Sequence, residues 1–318
     1  MTPIQTVLGA IDSSALGFTL AHEHVIATPG MDNFIYPWRY DRQKTLDWAI
    51  ERMTQLKAGG VDAIIDMTTP DLGRDIEFMA DVSRGSGVHV VATTGLWRDP
   101  PRSVMERSED ATAELFIHEI EHGIGSTSIR AGVIKVANDV EGITPAHERV
   151  LRAAARASKR TGCPINTHSN SALELGSEQV RIFQEEGVQM DRVAIGHTAD
   201  TTDIAYLERL LNAGVYLTMD RYPGRTPTWE QRNVTVKALI DRGWGDRIML
   251  GHDGWAAAWV WAGREIPRGG GSTAYNPDGM LFLSRVGIPG LLNIGVSQDA
   301  IDRMTRETPR RFLSGEGV

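Results

Sequence analysis

The sequence predicts a single-domain (β/α)8 barrel, also called a TIM barrel, and three observations favour this fold class. The chain has 318 residues, and a barrel of this kind needs about 250 residues plus insertions. Eight short apolar segments alternate with helical segments along the chain. Successive strands joined by helices form an open or a closed parallel sheet, and eight even units favour closure. Because no linker or composition shift interrupts residues 1–318, we expect one domain.

The repeating unit is an apolar strand, a loop and a helix that ends at glycine. Capping boxes, in which serine or threonine precedes glutamate or glutamine by three positions, predict helix starts at Ser103, Ser171 and Thr228. The first of these is expected to begin one helix over 103–122. The eight predicted strands cover residues 19–25, 61–66, 88–92, 131–136, 164–168, 192–197, 215–220 and 247–253.

One long irregular stretch, residues 254–280, follows the eighth predicted strand. It is rich in glycine and contains Trp255, Trp259 and Trp261. A loop of this length inside a compact domain is usually a lid or a binding loop. We therefore expect it to cover the site, and we expect residues 280–313 to form the closing helices.

The composition excludes several classes of partner. Apolar residues at 41% and charged residues at 23% are ordinary globular values. The net charge of −8 and the lack of a basic block argue against nucleic acid. No apolar run of about 18 residues predicts a membrane span, and the N-terminus lacks signal-peptide character, so a cytoplasmic location is expected. A single cysteine, Cys163, leaves any metal to nitrogen and oxygen ligands.

Candidate metal ligands lie near the ends of the predicted strands. His22 and His24 are two positions apart on a strand, so both imidazoles point to the same face. In a barrel, active sites lie at the carboxyl ends of the strands. Side chains able to bind or bridge metal recur at this rim in six positions: His22, His24, Lys135, His168, His197 and Asp253.

Four histidines and an aspartate exceed what one catalytic zinc requires, so two metals fit better. Lys135 lies between Ile134 and Val136, and an apolar setting lowers the pKa of an amine and makes it nucleophilic toward carbon dioxide. The resulting carbamate has two oxygens that can bridge two metals. The alternative is a buried lysine paired with a carboxylate, such as Asp66 or Asp253.

Taken in order, these residues resemble the metal site of the phosphotriesterase family of the amidohydrolase superfamily, and the resemblance covers nearly the whole chain. It implies a binuclear centre in which a carboxylated Lys135 and a hydroxide bridge two divalent metal ions. Zinc is the expected metal, although cobalt, manganese and iron suit the same ligands. The implied ligands are His22, His24 and Asp253 for the buried metal, and His168 and His197 for the exposed one.

The resemblance also implies a reaction. The metal-bridging hydroxide attacks the substrate, and Asp253 accepts the proton. Asp200, three residues after His197, matches an acid that orients a ligand or relays that proton. The alternative is that Asp200 caps the following helix.

The segment Asp220-Arg221-Tyr222 resembles that of the phosphotriesterase-like lactonases, whereas organophosphate-degrading members lack the arginine. It predicts hydrolysis of N-acyl-homoserine or alkyl lactones, with promiscuous phosphotriesterase activity, and Arg221 and Tyr222 are expected to bind the substrate. The alternatives are a phosphotriesterase (aryldialkylphosphatase) or other ester hydrolase with little lactone activity, and a catalytically silent ligand-binding barrel. For Arg221 itself, the alternative is a surface ion pair with a loop acid.

Tryptophans are the candidate walls of the substrate site. Trp97 stands where related lactonases often carry tyrosine, and Trp255 and Trp259 belong to the long loop. An apolar wall would bury an acyl chain, at about 0.8 kcal/mol for each methylene. The alternative is that these rings pack within the protein or on a partner subunit. A homodimer is implied only by resemblance to relatives.

Overall fold

The computed structural model describes residues 2–263 and 275–316 and confirms the predicted (β/α)8 barrel. Eight parallel strands lie side by side in chain order, after an antiparallel hairpin of β1 (Ile4–Thr6) and β2 (Gly9–Ile11). The barrel strands are β3 (Thr19–His24), β4 (Ala63–Asp66), β5 (His89–Gly95), β6 (Val133–Ala137), β7 (Ile165–His168), β8 (Val193–Ile195), β9 (Tyr216–Met219) and β10 (Ile248–Leu250).

The barrel closes where the last strands meet the first. The short strand β11 (Gly254–Trp255) pairs in parallel with β3. Just before it, the Asp253 amide donates a hydrogen bond of 2.9 Å to the carbonyl of His22. The closing contact therefore fixes the backbone of two predicted metal ligands against each other.

Helices cover the outside of the barrel, and none of those in the described part of the chain has the length and apolar character needed to cross a membrane. Two π-helical turns, Leu283–Gly287 and Arg303–Glu307, lie in the closing region. The helices are α1 (Asp32–Ile35), α2 (Arg42–Ala58), α3 (Ile76–Ser86), α4 (Arg102–Met105), α5 (Glu109–Glu121), α6 (Pro145–Thr161), α7 (Leu175–Glu185), α8 (Ile204–Asn212), α9 (Trp229–Asp241), α10 (Ile288–Asn293), α11 (Gln298–Asp302) and α12 (Thr308–Ser314).

The helix predicted over 103–122 is in fact two helices, α4 and α5. Ser108, not Ser103, is the N-cap of the longer one, and its side chain accepts from the Ala111 amide. Glu109 and Asp110 follow in the first turn, where acidic side chains complement the helix dipole. The capping box at Ser171 is also wrong, because that serine begins only a short 3-10 turn. The capping box at Thr228 is confirmed.

Apolar side chains fill the barrel interior and seal its amino-terminal end. Ile65, Val91 and Val133 belong to the buried interior cluster, which Leu16 and Phe312 also join. Each such side chain contributes about 1.5–3 kcal/mol when fully buried. A second, larger apolar layer lies between the strands and the helices. The candidate ligands therefore lie beyond this apolar interior, at the carboxyl ends of the strands.

Residues 264–274 of the predicted 254–280 loop lie outside the described residues. In the described part, Trp255 is exposed, whereas the ring of Trp259 packs 5.4 Å from that of Phe78 and 5.5 Å from that of Tyr40, between ring centroids. Trp259 therefore joins the packing between loop and helices.

Candidate active site

The six predicted ligands converge at the carboxyl end of the barrel. The four histidines and the lysine are each at most 5% exposed, whereas the Asp253 side chain is 22% exposed. His22 and His24 end β3, Lys135 lies in β6, His168 ends β7, and His197 and Asp253 follow β8 and β10.

One half of the site is built around a single carboxylate oxygen. Asp253 Oδ1 lies 3.2 Å from His24 Nε2 and 3.5 Å from His22 Nε2. His22, His24 and Asp253 can therefore offer two nitrogens and one oxygen to the same ion.

The other half is a close pair of imidazoles. His197 Nε2 lies 2.8 Å from His168 Nδ1. Lys135 stands beside the first half, with its Nζ 3.1 Å from His22 Nε2, and the His22 and His197 rings stack with their centroids 4.9 Å apart. The two halves are thus in direct contact.

A buried carboxylate, Asp220, lies behind both halves. Its Oδ2 is 2.7 Å from His22 Nδ1, and its Oδ1 is 2.9 Å from His197 Nδ1. Both rings therefore donate to Asp220 from Nδ1 and keep the Nε2 lone pair toward the centre. His22, His197 and Asp220 also form a group that could hold a metal. A cation at Asp220 would have to displace both of these hydrogen bonds, so we assign the carboxylate to orienting the rings.

The outer nitrogens of the remaining two rings also have partners. Thr68 Oγ1 is 2.8 Å from His24 Nδ1 and donates its own proton to the Ile26 carbonyl, so the hydroxyl accepts from the ring. The contact with Thr68 places the proton of His24 on the outer nitrogen. Asp139 Oδ2 is 3.2 Å from His168 Nε2, but this pair lacks the geometry of a hydrogen bond.

The donor set fits divalent metal ions. His197 Nε2 and His168 Nδ1 lie 2.8 Å apart and share a hydrogen bond in which the tautomers decide the donor. A divalent cation at this position would take the place of the shared proton. Four imidazole nitrogens and a carboxylate are ligands that zinc and similar metals prefer, so these side chains could hold metal ions.

The pKa values suit ligands at neutral pH. Burial, together with the ammonium of Lys135, lowers the pKa of His22 to about 4, and burial lowers the pKa of His197 well below its usual value. Burial alone would raise the pKa of Asp253, yet the imidazoles of His22 and His24 hold it well below its ordinary range. The rings of His22 and His197 are therefore neutral, and the carboxylate is ionised.

Lys135 is buried, and burial lowers its pKa to about 8. Within the described residues, no carboxylate lies within 4 Å of its Nζ to form the alternative ion pair. Asp66 instead accepts from the amides of Val25 and Thr68. The amine thus faces the histidine cluster without a direct counter-ion.

The backbone at the rim is conformationally strained. His197, Arg221 and Asp253 have φ values of 58°, 61° and 53°, a region that costs roughly 1–2 kcal/mol for a residue with a Cβ. Such strain is concentrated at functional sites, where the surrounding contacts hold it in place. Gly95 is required nearby, because a Cβ there would lie 2.0 Å from the Lys135 carbonyl.

Arg221, the predicted substrate-binding arginine, connects two acids. Its Nε is 3.1 Å from Asp253 Oδ2, and its Nη1 is 2.7 Å from Asp200 Oδ2. Arg221 thus forms the predicted alternative, an ion pair with a loop acid, through Asp200. Its second partner, Asp253, belongs to the candidate metal site. Asp200 also accepts from Arg232 at 2.9 Å.

The predicted catalytic residue Asp200 therefore contacts arginines rather than metal ligands through its side chain. Arg221 pairs with both Asp200 and Asp253. The helix-capping alternative is wrong, because Asp203 is the N-cap of α8. The role of Asp200 in orienting a ligand or relaying a proton stays a prediction.

Two cavities open at the metal site. The larger one, of about 720 Å³, is called the polar cavity because most of its lining residues are polar, and the smaller one, of about 310 Å³, is the apolar cavity. Arg221, Asp253 and Trp255 line both. Trp97 lines the apolar cavity, with its ring centroid 6.2 Å from that of His168. The Trp255 ring stacks 6.2 Å from His24.

Two of the predicted substrate-binding residues, Trp259 and Tyr222, do not present their side chains to the cavities. Trp259 lines neither cavity, because its ring packs on Phe78 and Tyr40. Tyr222 borders the polar cavity, but it is 2% exposed and its hydroxyl donates to Asn233 Oδ1 at 3.0 Å. Tyr222 thus anchors its loop.

Sequence reasoning missed the roles of Thr68, Asp139 and Asp220. Each follows the end of a barrel strand by one or two residues, which is the same signal that identified the histidines. Asp220 was noted only as part of the Asp-Arg-Tyr segment. Polar side chains just past every strand end would have identified all three.

The comparisons with known proteins agree with this geometry. A sequence model described as the phosphotriesterase family matches residues 2–313. The phosphotriesterase homology protein of Mycobacterium tuberculosis is 38% identical, covering 100% of this chain and 99% of the relative. An aryldialkylphosphatase of Saccharolobus solfataricus is 36% identical, covering 96% and 97%.

A solved structure of the phosphotriesterase from Mycobacterium tuberculosis superimposes with a TM-score of 0.89 at 37% identity, covering 98% of each chain. The fold is therefore shared over nearly the whole length of both chains. The chain belongs to the phosphotriesterase family and is a metal-dependent hydrolase, as the residues at the barrel rim predict.

Proposed function

We propose that the protein opens lactones by hydrolysis at a centre of two divalent metal ions. The observation that carries the proposal is the guanidinium of Arg221 beside the Asp253 carboxylate, at 3.1 Å. It belongs to the Asp220-Arg221-Tyr222 segment that resembles phosphotriesterase-like lactonases. The apolar cavity of about 310 Å³ favours a lactone with a small apolar substituent over one with a long chain.

His22, His24 and Asp253 would hold one ion, and His168 and His197 the other. When bound, such ions lower the pKa of a water molecule and polarise the ester carbonyl. Asp253 is ionised at neutral pH and can accept the proton that the attacking water loses. The new carbon–oxygen bond forms as the ring carbon–oxygen bond breaks, and the proton passes to the departing alkoxide.

Lys135 would hold both ions as a carbamate formed with carbon dioxide. Three features support this role: its burial, its place beside His22, and the lack of a carboxylate within 4 Å in the described residues. An amine with a pKa of about 8 has an appreciable unprotonated fraction at neutral pH. Zinc is the proposed metal.

The second candidate is phosphotriester hydrolysis with little lactone activity. It is favoured by the relative named aryldialkylphosphatase, at 36% identity. The same ligands would serve, because a phosphoryl oxygen can be polarised in the same way as a carbonyl oxygen.

A parallel substrate assay distinguishes the two candidates. The protein is purified with zinc, cobalt or manganese and assayed on short and long acyl-homoserine lactones, plain γ- and δ-lactones and an aryl phosphotriester. We expect the highest kcat/KM on a lactone. We also expect Arg221→Ala to reduce lactone turnover more than phosphotriester turnover. Phosphotriester turnover far above every lactone would overturn the proposal, and equal losses in Arg221→Ala would make that arginine structural.

A further inference from the structure

The polar cavity beside the metal site contains more cationic groups than its carboxylates engage. Three arginines line it: Arg221, Arg225 and Arg232. Two of them pair with carboxylates, Arg221 with Asp200 and Asp253, and Arg232 with Asp200. Arg225 has no carboxylate within 4 Å in the part of the chain that the structure describes.

The carboxylates of the cavity are already engaged. Asp200 and Asp253 pair with Arg221 as described. The third, Asp139, lies 3.2 Å from His168 Nε2 and 3.0 Å from Arg98 Nη1. Arg225 is exposed to solvent, and among the described residues no acid of the cavity lining pairs with it, although the chain as a whole carries a net charge of −8.

Arg225 makes a contact with an aromatic ring. Its guanidinium lies over the Tyr275 ring, 4.4 Å from the centroid. The ring carries no oxyanion, so this contact does not supply an anionic partner for the five N–H donors of the guanidinium. The planar fork of a guanidinium matches two oxygens of a carboxylate, phosphate or sulfonate.

The cavity connects this fork to the reaction centre. Its volume of about 720 Å³ lies within the usual range for small-molecule sites. Asp253 and Arg225 line the same space, so one molecule can place its scissile ester at the metal site and extend toward the arginine.

We propose that the natural substrate carries an anionic group, and that Arg225 binds it in the polar cavity while the scissile ester lies at Asp253. This inference rests on the proposed ester-bond hydrolysis and specifies its substrate class. The anionic group gains charge-assisted hydrogen bonds, whereas a neutral analogue offers the guanidinium no charged acceptor.

Two matched substrate pairs test the proposal on the metal-loaded protein. One pair is γ-butyrolactone bearing a γ-carboxylate and the corresponding carboxamide. The other is the para-nitrophenyl monoester of adipic acid and the corresponding monoamide. Within each pair, only the charge changes. We expect kcat/KM to favour the anion by about tenfold or more, mainly through KM.

Variants assign the preference to the arginine. Arg225→Gln should bring the ratio close to one, and Arg225→Lys should retain part of it, because the charge stays while the fork is lost. Arg130→Gln is the matched control: Arg130 precedes β6 at the opposite end of the barrel, where it contacts Gln5. It should leave the ratio unchanged.

The outcomes separate this inference from the proposed function. If lactones are opened but the anion and the amide react equally and Arg225→Gln changes nothing, the inference fails and lactone hydrolysis stands. If only the aryl esters react and the anion preference depends on Arg225, the inference stands and the lactone proposal fails. A protein that hydrolyses none of the four compounds contradicts both.

Discussion

The carboxylate of Asp220 lies 2.7 Å from His22 Nδ1 and simultaneously 2.9 Å from His197 Nδ1. One buried side chain therefore sets the tautomer of a ligand from each half of the metal site. The imidazoles of His197 and His22 hold the pKa of Asp220 well below its usual range, although burial alone would raise it. The two metal positions share a single orienting group.

Asp220→Asn should leave only one of the two histidines, His22 or His197, correctly oriented. The amide has one acceptor oxygen and an NH2 group, so one of the two histidines must turn its proton inward, where it blocks a ligand position. We expect metal affinity to fall by about 10-fold to 100-fold with the fold retained. Elemental analysis of the protein at a series of free metal concentrations measures the affinity, and circular dichroism checks the fold.

Asp203→Asn is the control for that substitution, because asparagine also caps helices well and Asp203 lies at the start of α8. It should keep its metal. Unchanged metal affinity in Asp220→Asn would show that Asp220 does not orient the ligands.

Lys135→Ala should remove both metal and activity. The variant lacks the group that would bridge the two ions, and a short carboxylate such as propionate, added to the assay, should restore part of both. Metal content and lactone turnover are the measurements, with the exposed Lys159→Ala as the control. The carbamate proposal does not survive if Lys135→Ala keeps full activity.

Trp259→Ala should affect stability rather than catalysis. The ring packs on Phe78 and Tyr40, and its removal should cost about 3 kcal/mol of unfolding free energy. Denaturant unfolding and KM are measured for this variant and for Trp97→Ala, which should raise KM instead. A large change in KM for Trp259→Ala with unchanged stability would place that ring in the substrate site after all.

Cys163 should be unreactive in the folded protein. Burial raises the pKa of its thiol to about 12, so at pH 8 only about one molecule in ten thousand carries the reactive thiolate. A raised pKa stabilises the fold below the ordinary thiol pKa, and this contribution is lost as the pH rises toward 12. Iodoacetamide labelling at pH 8 should be far slower in buffer than in denaturant; equal rates would mean that the thiol is accessible.

The convergence of the six candidate ligands was predictable because strand ends in a parallel barrel meet at one rim. A histidine at the end of an apolar run, such as His168 or His197, is therefore placed by its local pattern alone. The closing contact between the Asp253 amide and the His22 carbonyl follows from the same topology.

Other features depend on contacts that sequence spacing does not specify. Whether Trp259 faces the site or the helices depends on the path of a long loop, and two aromatic neighbours from distant segments settle it. Asp200 is close to His197 in sequence, yet the two arginines that engage its side chain come from later segments. The apolar pattern over 103–122 suggests one continuous helix, but Ser108 caps a new helix within it.

Stepwise addition of Zn²⁺ to the chelator-treated protein tests the proposed metal centre most directly. Lactone hydrolysis and bound zinc are followed together. We expect no activity without metal and a rise that reaches its plateau at two ions per chain. A plateau at one ion per chain, or full activity in the metal-free protein, would contradict the proposed two-metal centre.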